Sequence, residues 1–578
     1  METAADTTAD PSSLPRHGDV DPNNPFSQQL VTISKVEHIE LVHSANYWEA
    51  QHAQLKKKCA QLEQENQRKD ARIRDLQNRL FGKKSEKQSA EKPEKTASSP
   101  GTRPRGQQPG SRGHGRTPRP DLPIVSETVD LCDNEQHCSC CGLPHLPRPA
   151  MDDTSDVIEV EVQAYTRRIR RSTYVRNPGC RCPGVPAVIT ATPPPRLIPR
   201  SPYGVSLWVE VLLSKFHYSQ PTHRYLQDLN DRALPISPGT VAGGLQAITP
   251  LFAPIMAGLH QRQMSEDLIH NDETRWEVFV EVEGKVGHRW YLWLSRSLSV
   301  IYFILDPSRS ADVPGAHFAG LQAERVIIVC DRYSAYKKLA RLADTILLAF
   351  CWAHVRRDFL DAGRSYKVLE PWALDWKARI GELYHRNHLR REHWDSERPL
   401  DQQSETFNRH HQGVQATLHE MQQEATRLST DDEGALDEAT RALPYGARKQ
   451  QRKGCKSLLA HWSGLTLFAE NPQVPLDNNV AENTLRGPVT GRKNYYGSGS
   501  LWSATLAVSA FSIFKTLGLW GINTRHWLSA YLTTCAENGG KPPVDIAPWL
   551  PWSMDPARRD ELARPPPTYL APAVQNSS

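Results

Sequence analysis

The sequence predicts an α/β protein built of several domains, and three observations predict it. The chain has 578 residues, more than one hydrophobic core ordinarily serves. Near residue 270 helix-like spacing gives way to short runs in which apolar residues alternate or stand unbroken, the pattern of strands. Three carboxylates stand at the edges of predicted strands or helices. They lie in Asn271-Asp272-Glu273-Thr274, in Cys330-Asp331-Arg332-Tyr333 and in Leu476-Asp477-Asn478-Asn479-Val480-Ala481-Glu482-Asn483-Thr484-Leu485-Arg486.

Composition narrows the class. A hydrophobic share of 38% and a mean hydropathy of −0.57 suit a water-soluble chain with polar linkers. No apolar run approaches the roughly 18 residues that cross a bilayer. Met1 to Pro25 is polar, with no hydrophobic signal core. A cytoplasmic location and no membrane partner are therefore expected.

Residues 1–40 lack periodicity and read as a disordered tail. Residues 41–82 read as one helix, in which Leu55, Cys59, Leu62, Asn66, Lys69, Ile73, Leu76 and Leu80 step alternately by four and three, the seam of a coiled coil. Polar seam positions set register and favour a dimer, so self-association is expected; the alternative is one amphipathic helix packed on its own domain. Gly82 closes it.

Residues 83–122 form a basic linker. Between Lys83 and Arg119 ten Lys/Arg face three Glu, whereas the whole chain carries only +5. Such a stretch, rich in Pro, Gly and Ser, buries too little apolar surface to fold alone. Arg103, Arg105, Arg112 and Arg116 are its candidate contacts to a polyanion; the plainer reading is a solvated linker.

Residues 123–192 invite a metal. Eleven cysteines in a cytosolic chain argue against a disulfide scaffold. Cys138 and Cys141 form one pair on a turn, and Cys180 and Cys182 a second after a strand-like stretch from Val157 to Val175. Two thiolate pairs joined by a hairpin match a closed structural zinc site. Cys132, His137, Cys140 and His145 are substitute ligands.

Residues 193–264 read as helical, with an apolar face through Val205, Leu207, Trp208, Val211, Leu212 and Phe216. A Ser237 cap opens a further helix there. This cluster is a candidate DNA-binding unit or a simple spacer.

Residues 265–362 read as strands. Glu277 to Glu283 alternates, Gly284-Lys285 turns, and His288 to Leu294 and Val300 to Leu305 complete an antiparallel meander. Val326 to Val329 is wholly apolar and runs into Asp331; a helix, a strand at Thr345 to Phe350 and a helix from Trp352 follow. Three strands, then strand, helix, strand, helix, is the order of a ribonuclease-H-like core. In open α/β sheets of this kind active groups gather at strand ends. Residues 363–465, with Leu418, Met421, Ala425 and Leu428 at helical spacing, read as a helical insertion facing a DNA end or a second subunit. Residues 466–535 return to the core with Glu482, and 536–578 read as a C-terminal tail.

The residue types match one chemistry. In-line attack on a phosphodiester uses two hard cations about 3.5–4 Å apart, one for the attacking and one for the leaving oxygen. Mg²⁺ takes oxygen ligands, with phosphate and water completing its shell. Asp272 and Asp331 are candidates to meet at adjacent strand ends, with Glu482 the third ligand. Asn479, Glu482, Asn483 and Arg486 share a helix face. Gly491 to Gly499, with Arg492, Lys493, Tyr495 and Tyr496, reads as a basic, aromatic loop suited to phosphates and bases.

These segments together resemble the insertion sequence 66 family of bacterial transposases. The matching features are Arg79-Leu80-Phe81-Gly82-Lys83-Lys84-Ser85-Glu86, Gly113-His114-Gly115-Arg116, the zinc cysteines, Asp272-Glu273-Thr274 and Asp331-Arg332-Tyr333-Ser334-Ala335-Tyr336. Cys351-Trp352-Ala353-His354-Val355-Arg356-Arg357 and the Glu482 segment with Gly491-Arg492-Lys493-Asn494 complete them. The likeness runs in order from about residue 45 to Trp549. It implies a DDE-type transposase in the bacterial cytoplasm, with Asp272, Asp331 and Glu482 as its Mg²⁺-binding, or Mn²⁺-binding, catalytic triad. Two departures are the C-x-C second pair and Asp331-Arg332 where Asp-Gly is more usual. Cys351 and His354 resemble a C-x-x-H signature of several such families and read as structural or DNA-proximal. The expected partners are inverted-repeat ends, target DNA, a second copy of the chain and accessory proteins of the same element. The rival readings are a non-catalytic DNA-binding regulator and a ribonuclease-H-like nuclease without strand transfer.

Overall fold

The computed structural model describes residues 33–81, five positions between 132 and 143, 164–175, 177, 178, 186, 188–283, 287–432, 434 and 436–566. The basic linker with Arg103, Arg105, Arg112 and Arg116 lies outside these, as do Cys138, Cys180, Cys182, His137 and His145.

Helix α1 (Lys35–Phe81) opens six residues before the expected boundary. Its capping box is the reason: Ser34 Oγ accepts from Glu37 N at 3.2 Å while Glu37 Oε2 accepts from Ser34 N at 2.8 Å. The seam residues Leu55, Cys59, Leu62, Asn66 and Lys69 are exposed. Strands β1 (Thr173–Val175) and β2 (Val188–Thr190) pair antiparallel, Thr173 opposite Thr190. Among the described residues of the expected strand from 157 to 175, only these last three are extended in a ladder.

Four helices follow: α2 (Val205–Leu212, continued by a π-turn to His217), α3 (Thr222–Asp231), α4 (Pro238–Ile248) and α5 (Ala253–Gln263). Ser237 caps α4 as its sequence predicts, accepting from Thr240 N at 3.2 Å. Then come β3 (Leu268–Glu277), β4 (Arg289–Arg296) and β5 (Ile301–Asp306), the short helix α6 (Asp312–His317), β6 (Val326–Cys330), α7 (Ser334–Leu342), β7 (Ile346–Phe350) and α8 (Trp352–Ser365). The fold is mixed α/β, as the sequence predicts. Its five-stranded sheet has the order β5-β4-β3-β6-β7, with β3, β4 and β5 antiparallel and β6 and β7 parallel to β3.

The first strand corrects the sequence expectation. It ends at Glu277 rather than beginning there, so Asp272 lies inside a central strand. Polar His270, Asn271, Asp272 and Glu273 mask the pattern, and pairing with β4 along all four, joined by β6 as far as His270, overrides their low strand propensity.

Each sheet face has its own core. Trp276, Leu292, Leu294, Ile301 and Phe303 face one side with α2 to α5. The intervening Trp293, with Ile269 from β3, faces the other, and β6 is buried throughout. The first core is completed by three helices near the end of the chain, α15 (Leu501–Leu519), α16 (Thr524–Glu537) and α17 (Pro556–Ala563), which close that layer. Leu562 is buried and its carbonyl accepts from Asn523 N at 2.9 Å, so the segment read as a tail packs on this layer. Two helical stretches, Pro238–Gln263 and Leu501–Leu519, are long and apolar enough to cross a membrane by length and composition alone. Half or more of each is buried inside the protein.

The second core holds α9 (Glu370–Glu392), α10 (Glu405–Ser429), α12 (Tyr445–Ala460) and α13 (Trp462–Glu470), and the short α11 (Glu438–Ala442) connects α10 to α12 outside it. Leu418, Met421, Ala425 and Leu428 are all buried there. Arg390, fully buried, donates to the carbonyls of Phe468 at 2.9 Å and Ala469 at 3.0 Å, satisfying the end of α13. The chain leaves the sheet after Phe350 and returns at Leu476, whose carbonyl accepts from Trp352 N at 2.8 Å. Helix α14 (Asn479–Tyr495) follows.

One buried group sets a pH limit. His317 Nε2 donates to Gln263 Oε1 at 2.8 Å, and Gln263 Nε2 donates to Ser295 O at 3.1 Å. Burial, then the neighbouring His260, pushes His317 down to about 3. The unfolded chain therefore takes up this proton first as pH falls below about 6.5. The stability is present above that value and drains below it, by up to about 1.4 kcal/mol per pH unit. Urea unfolding at pH 6.5 and 5 should show that slope reduced in His317→Asn, and an unchanged slope would reject the assignment.

Candidate active site

The parallel ladder of β3 and β6 pairs Leu268 with Ile327, Ile269 with Ile328 and His270 with Val329. Carried two residues further, that register sets Asp272 beside Asp331 on one face of the sheet. Asp331 follows the last residue of β6, where its Oδ1 accepts from Tyr333 N at 2.9 Å and turns the chain into α7. Asp272 Oδ1 accepts from Glu273 N at 2.9 Å.

Glu482 stands in the first turn of α14, and a set of long-range bonds fastens that helix along β3. Asn478 Nδ2 donates to Asn271 O at 2.7 Å, its Oδ1 accepts from His270 Nδ1 at 2.9 Å, and its N–H donates to Cys351 Sγ at 3.3 Å. Arg296 Nη1 donates to Thr484 Oγ1 at 2.8 Å. At the far end Arg492 donates to Arg275 O and to Thr274 Oγ1. Ser498 N donates to Glu277 O and Phe279 N to Ser498 O, both at 2.9 Å. Trp276 Nε1 donates to Ser498 Oγ at 3.2 Å.

Asp272 lies within the field of the other two acids. Burial, then the Glu273 carboxylate, raises Asp272 to about 8; Asp331 and Glu482 add to the rise, while the Glu273 N–H opposes it. Glu273 is itself raised by burial and by Asp331. It is held by a hidden clamp: Arg309 donates through Nη2 at 2.6 Å and Nε at 3.0 Å, and Tyr336 Oη at 2.8 Å. Its side chain is only 2% exposed. Arg309 also stacks 4.0 Å over Tyr333, whose Oη donates back to Arg309 O at 2.8 Å.

Cys351 and His354 divide their roles. Cys351 is fully buried and ties the end of β7 to the start of α14 through Asn478. His354 places Nε2 3.9 Å from Glu482 Oε1. Burial, then Arg357, lowers its pKa, against the pull of Glu482 and Asp331. Arg332, beside Asp331, pairs with Asp358 and donates to Ser457 Oγ at 3.2 Å.

Helix α14 sorts the remaining candidates. Ala481, Thr484, Leu485, Pro488 and Gly491 are buried, and Asn479, Asn483, Arg486 and Lys493 are exposed on the other side. Arg492 is turned to β3 instead. The expected loop from Gly491 is a correction: the helix continues to Tyr495, and only Tyr496 (φ 65°) to Gly499 forms a turn. The acceptors at hand, Arg492 O for Tyr496 N at 2.7 Å and Glu277 O for Ser498 N, prolong the helix and then anchor its end.

Sequence reasoning missed Glu273 with Arg309 and Tyr336, and Asn478 with His270. The one local signal was the spacing of Tyr333 and Tyr336 behind Asp331. Among the described residues no three His, Cys, Asp or Glu side chains close on one point tightly enough to hold a metal ion. The donor set nevertheless fits a hard divalent cation by chemistry. Asp272 carries a carboxyl whose ionisation burial and three neighbouring carboxylates oppose, and a cation at that point would offset the repulsion. The described Cys140 and Cys141 are exposed free thiols, and β1 and β2 flank the segment that carries Cys180 and Cys182.

Comparison with known proteins gives a family and distant relatives. Residues 200–506, just over half of the chain and including all three acids, match the family described as Transposase IS66 family. Uncharacterized protein y4hP of Sinorhizobium fredii is 25% identical over 455 residues, 75% of this chain and 76% of that one. Uncharacterized proteins y4jD and y4qI of the same organism are 24% and 23% identical, covering 78% and 76% of this chain and 83% and 78% of their own. No solved structure matches.

Proposed function

The chain belongs to the IS66 family of transposases, and from that premise we propose that it is a DDE-type DNA transposase with Asp272, Asp331 and Glu482 as its catalytic triad. The observation that carries this reading is the placement of the three acids: the β3–β6 register brings Asp331 beside Asp272, Asn478 fastens the helix bearing Glu482 along β3, and both acids add to the rise that burial and Glu273 impose on Asp272. A ribonuclease-H-like core is supported by the strand order β5-β4-β3-β6-β7 with its antiparallel half and parallel half.

Asp272, Asp331 and Glu482 would hold a divalent cation, magnesium or manganese, which would supply charge neutralisation at the scissile phosphate and a lowered pKa of water. The chain's own residues do the rest. Asn478 and Arg296 fix the helix that carries Glu482, and Arg309 with Tyr336 draws the Glu273 carboxylate away to its own partners. Arg486 and Lys493, with Asn479 and Asn483, present donors to phosphate oxygens on the exposed side of α14. At the inverted-repeat ends of the element, water first hydrolyses a phosphodiester and leaves a 3′-hydroxyl. That hydroxyl then attacks a target phosphodiester, one bond forming as one breaks, with no covalent protein intermediate.

Around this centre we assign α1 to self-association as a coiled coil, and the basic linker with Arg103, Arg105, Arg112 and Arg116, together with α2 to α5, to DNA contact. Accessory proteins of the same element are further partners, and the bacterial cytoplasm is the site of action. Cys138, Cys141, Cys180 and Cys182 are the structural zinc ligands of this reading, so about one zinc per chain should be measured and lost in Cys138→Ser/Cys141→Ser. Zinc retained by that variant would remove the assignment.

Labelled element ends incubated with the protein and Mg²⁺ test the whole reading. The expected products are nicked ends and ends joined to target DNA. Nicking without joining would favour a nuclease, and binding without nicking a regulator.

A further inference from the structure

Helix α12 carries Arg448, Lys449, Arg452, Lys453 and Lys456 and no acidic residue. Ala447, Gln451, Cys455 and Leu458 form its buried stripe. At 100° per residue Lys449, Lys453 and Lys456 fall on the opposite side, and all three are exposed. Carboxylates reach only the flanks. Asp431 pairs with Arg452 on one and reaches Lys456 at the edge of the solvent side, and on the other Asp358 pairs with Arg332, which also donates to Ser457 Oγ. Glu424, on the neighbouring α10, is engaged by Arg427. Neither Lys449 nor Lys453 has a carboxylate within ion-pair distance among the described residues.

The position of this face gives it a direction. Arg332 directly follows Asp331, so the Ser457 end of α12 abuts the wall of the carboxylate cluster. From there the 16-residue helix runs about 24 Å outward. Its far end packs Gly446 against Tyr366, next to the exposed Lys367. Lys449 and Lys456 are about 10 Å apart along the axis, close to three nucleotide steps of about 3.4 Å on one strand.

We propose that the solvent face of α12 is a docking surface for duplex DNA, with Lys449 and Lys453 as contacts to the phosphates that flank the cleavage point. Lysines without carboxylate partners, spaced at one helical turn and leading away from a phosphodiester site, fit a sugar-phosphate backbone better than an apolar protein surface. The inference rests on DNA as the substrate and not on which acids do the chemistry.

The test uses the full chain in EDTA and a fluorescent duplex of arbitrary sequence, titrated at several salt concentrations. Lys449→Glu/Lys453→Glu should bind about tenfold more weakly, and the slope of log affinity against log salt should shrink by about two, near 0.9 for each lost phosphate contact. Lys377→Glu/Arg391→Glu on α9 reverses the same charge elsewhere and should change neither quantity. Equal affinity and slope in the two variants would overturn the surface. Altered mass by light scattering with unchanged DNA affinity would assign the face to a second copy and also overturn it. A parent chain that binds no duplex would instead overturn the DNA-substrate reading, and this surface with it.

Discussion

Asp331→Asn lowers strand cleavage and strand transfer by about 10³-fold or more while leaving the chain folded and bound to DNA. The size follows from the chemistry: charge stabilisation by a held cation contributes several kcal/mol, and about 1.4 kcal/mol is tenfold in rate. The selectivity follows from geometry. Asp331 Oδ1 accepts from Tyr333 N at 2.9 Å, and an asparagine keeps an oxygen there to open α7. What is lost is one negative charge facing Asp272 and Glu273. Cleavage rates and DNA affinity measured on the same preparation decide the matter. Cleavage within tenfold of the parent, with Mg²⁺ present, would remove Asp331 from the triad.

Gly497→Ala is expected to destabilise the protein by roughly 3 kcal/mol or more, at the large end of single substitutions. Gly497 has φ 140°, a conformation that L side chains rarely adopt, and an added Cβ would stand 2.1 Å from Glu277 O. Backbone, not a flexible side chain, is the obstacle, so one of the two segments must shift. That point is where Ser498 ties the end of α14 to the end of β3. The variant should therefore lose activity even under conditions where it stays folded. Chemical denaturation checks the first part and cleavage by folded protein the second. A change below about 0.5 kcal/mol, the range of ordinary surface substitutions, would refute the anchoring role.

These two sites were unequally legible in the sequence. Strand β6, buried on both faces, shows itself as an unbroken apolar run, and Asp331 is visible at its end. Strand β3 is as central but opens on Leu268, Ile269 and four polar residues. His270 is tolerable there because Asn478, some two hundred residues later, accepts from its Nδ1, and the same amide donates to the Asn271 carbonyl. No local window contains that partner. Glu273 is hidden for the same reason, since its clamp comes from Arg309 and Tyr336. Helical spacing did find the exposed face of α14, because a periodic face is a local property. It could not tell that Arg492 turns inward, because the carbonyl it meets belongs to β3.

The hydrogen bond from Trp352 N to Leu476 O closes a circle of chain. The segment between those residues, including α9 to α12, departs from the sheet and returns to it through neighbouring residues. The cost of closing such a loop grows only with the logarithm of its length. Length in its exposed connections is therefore cheap, whereas its packed helices share the core beneath β6 and β7 and are not free to change. Variation among chains built on this scaffold is therefore expected in those connections, with the three carboxylates left in place.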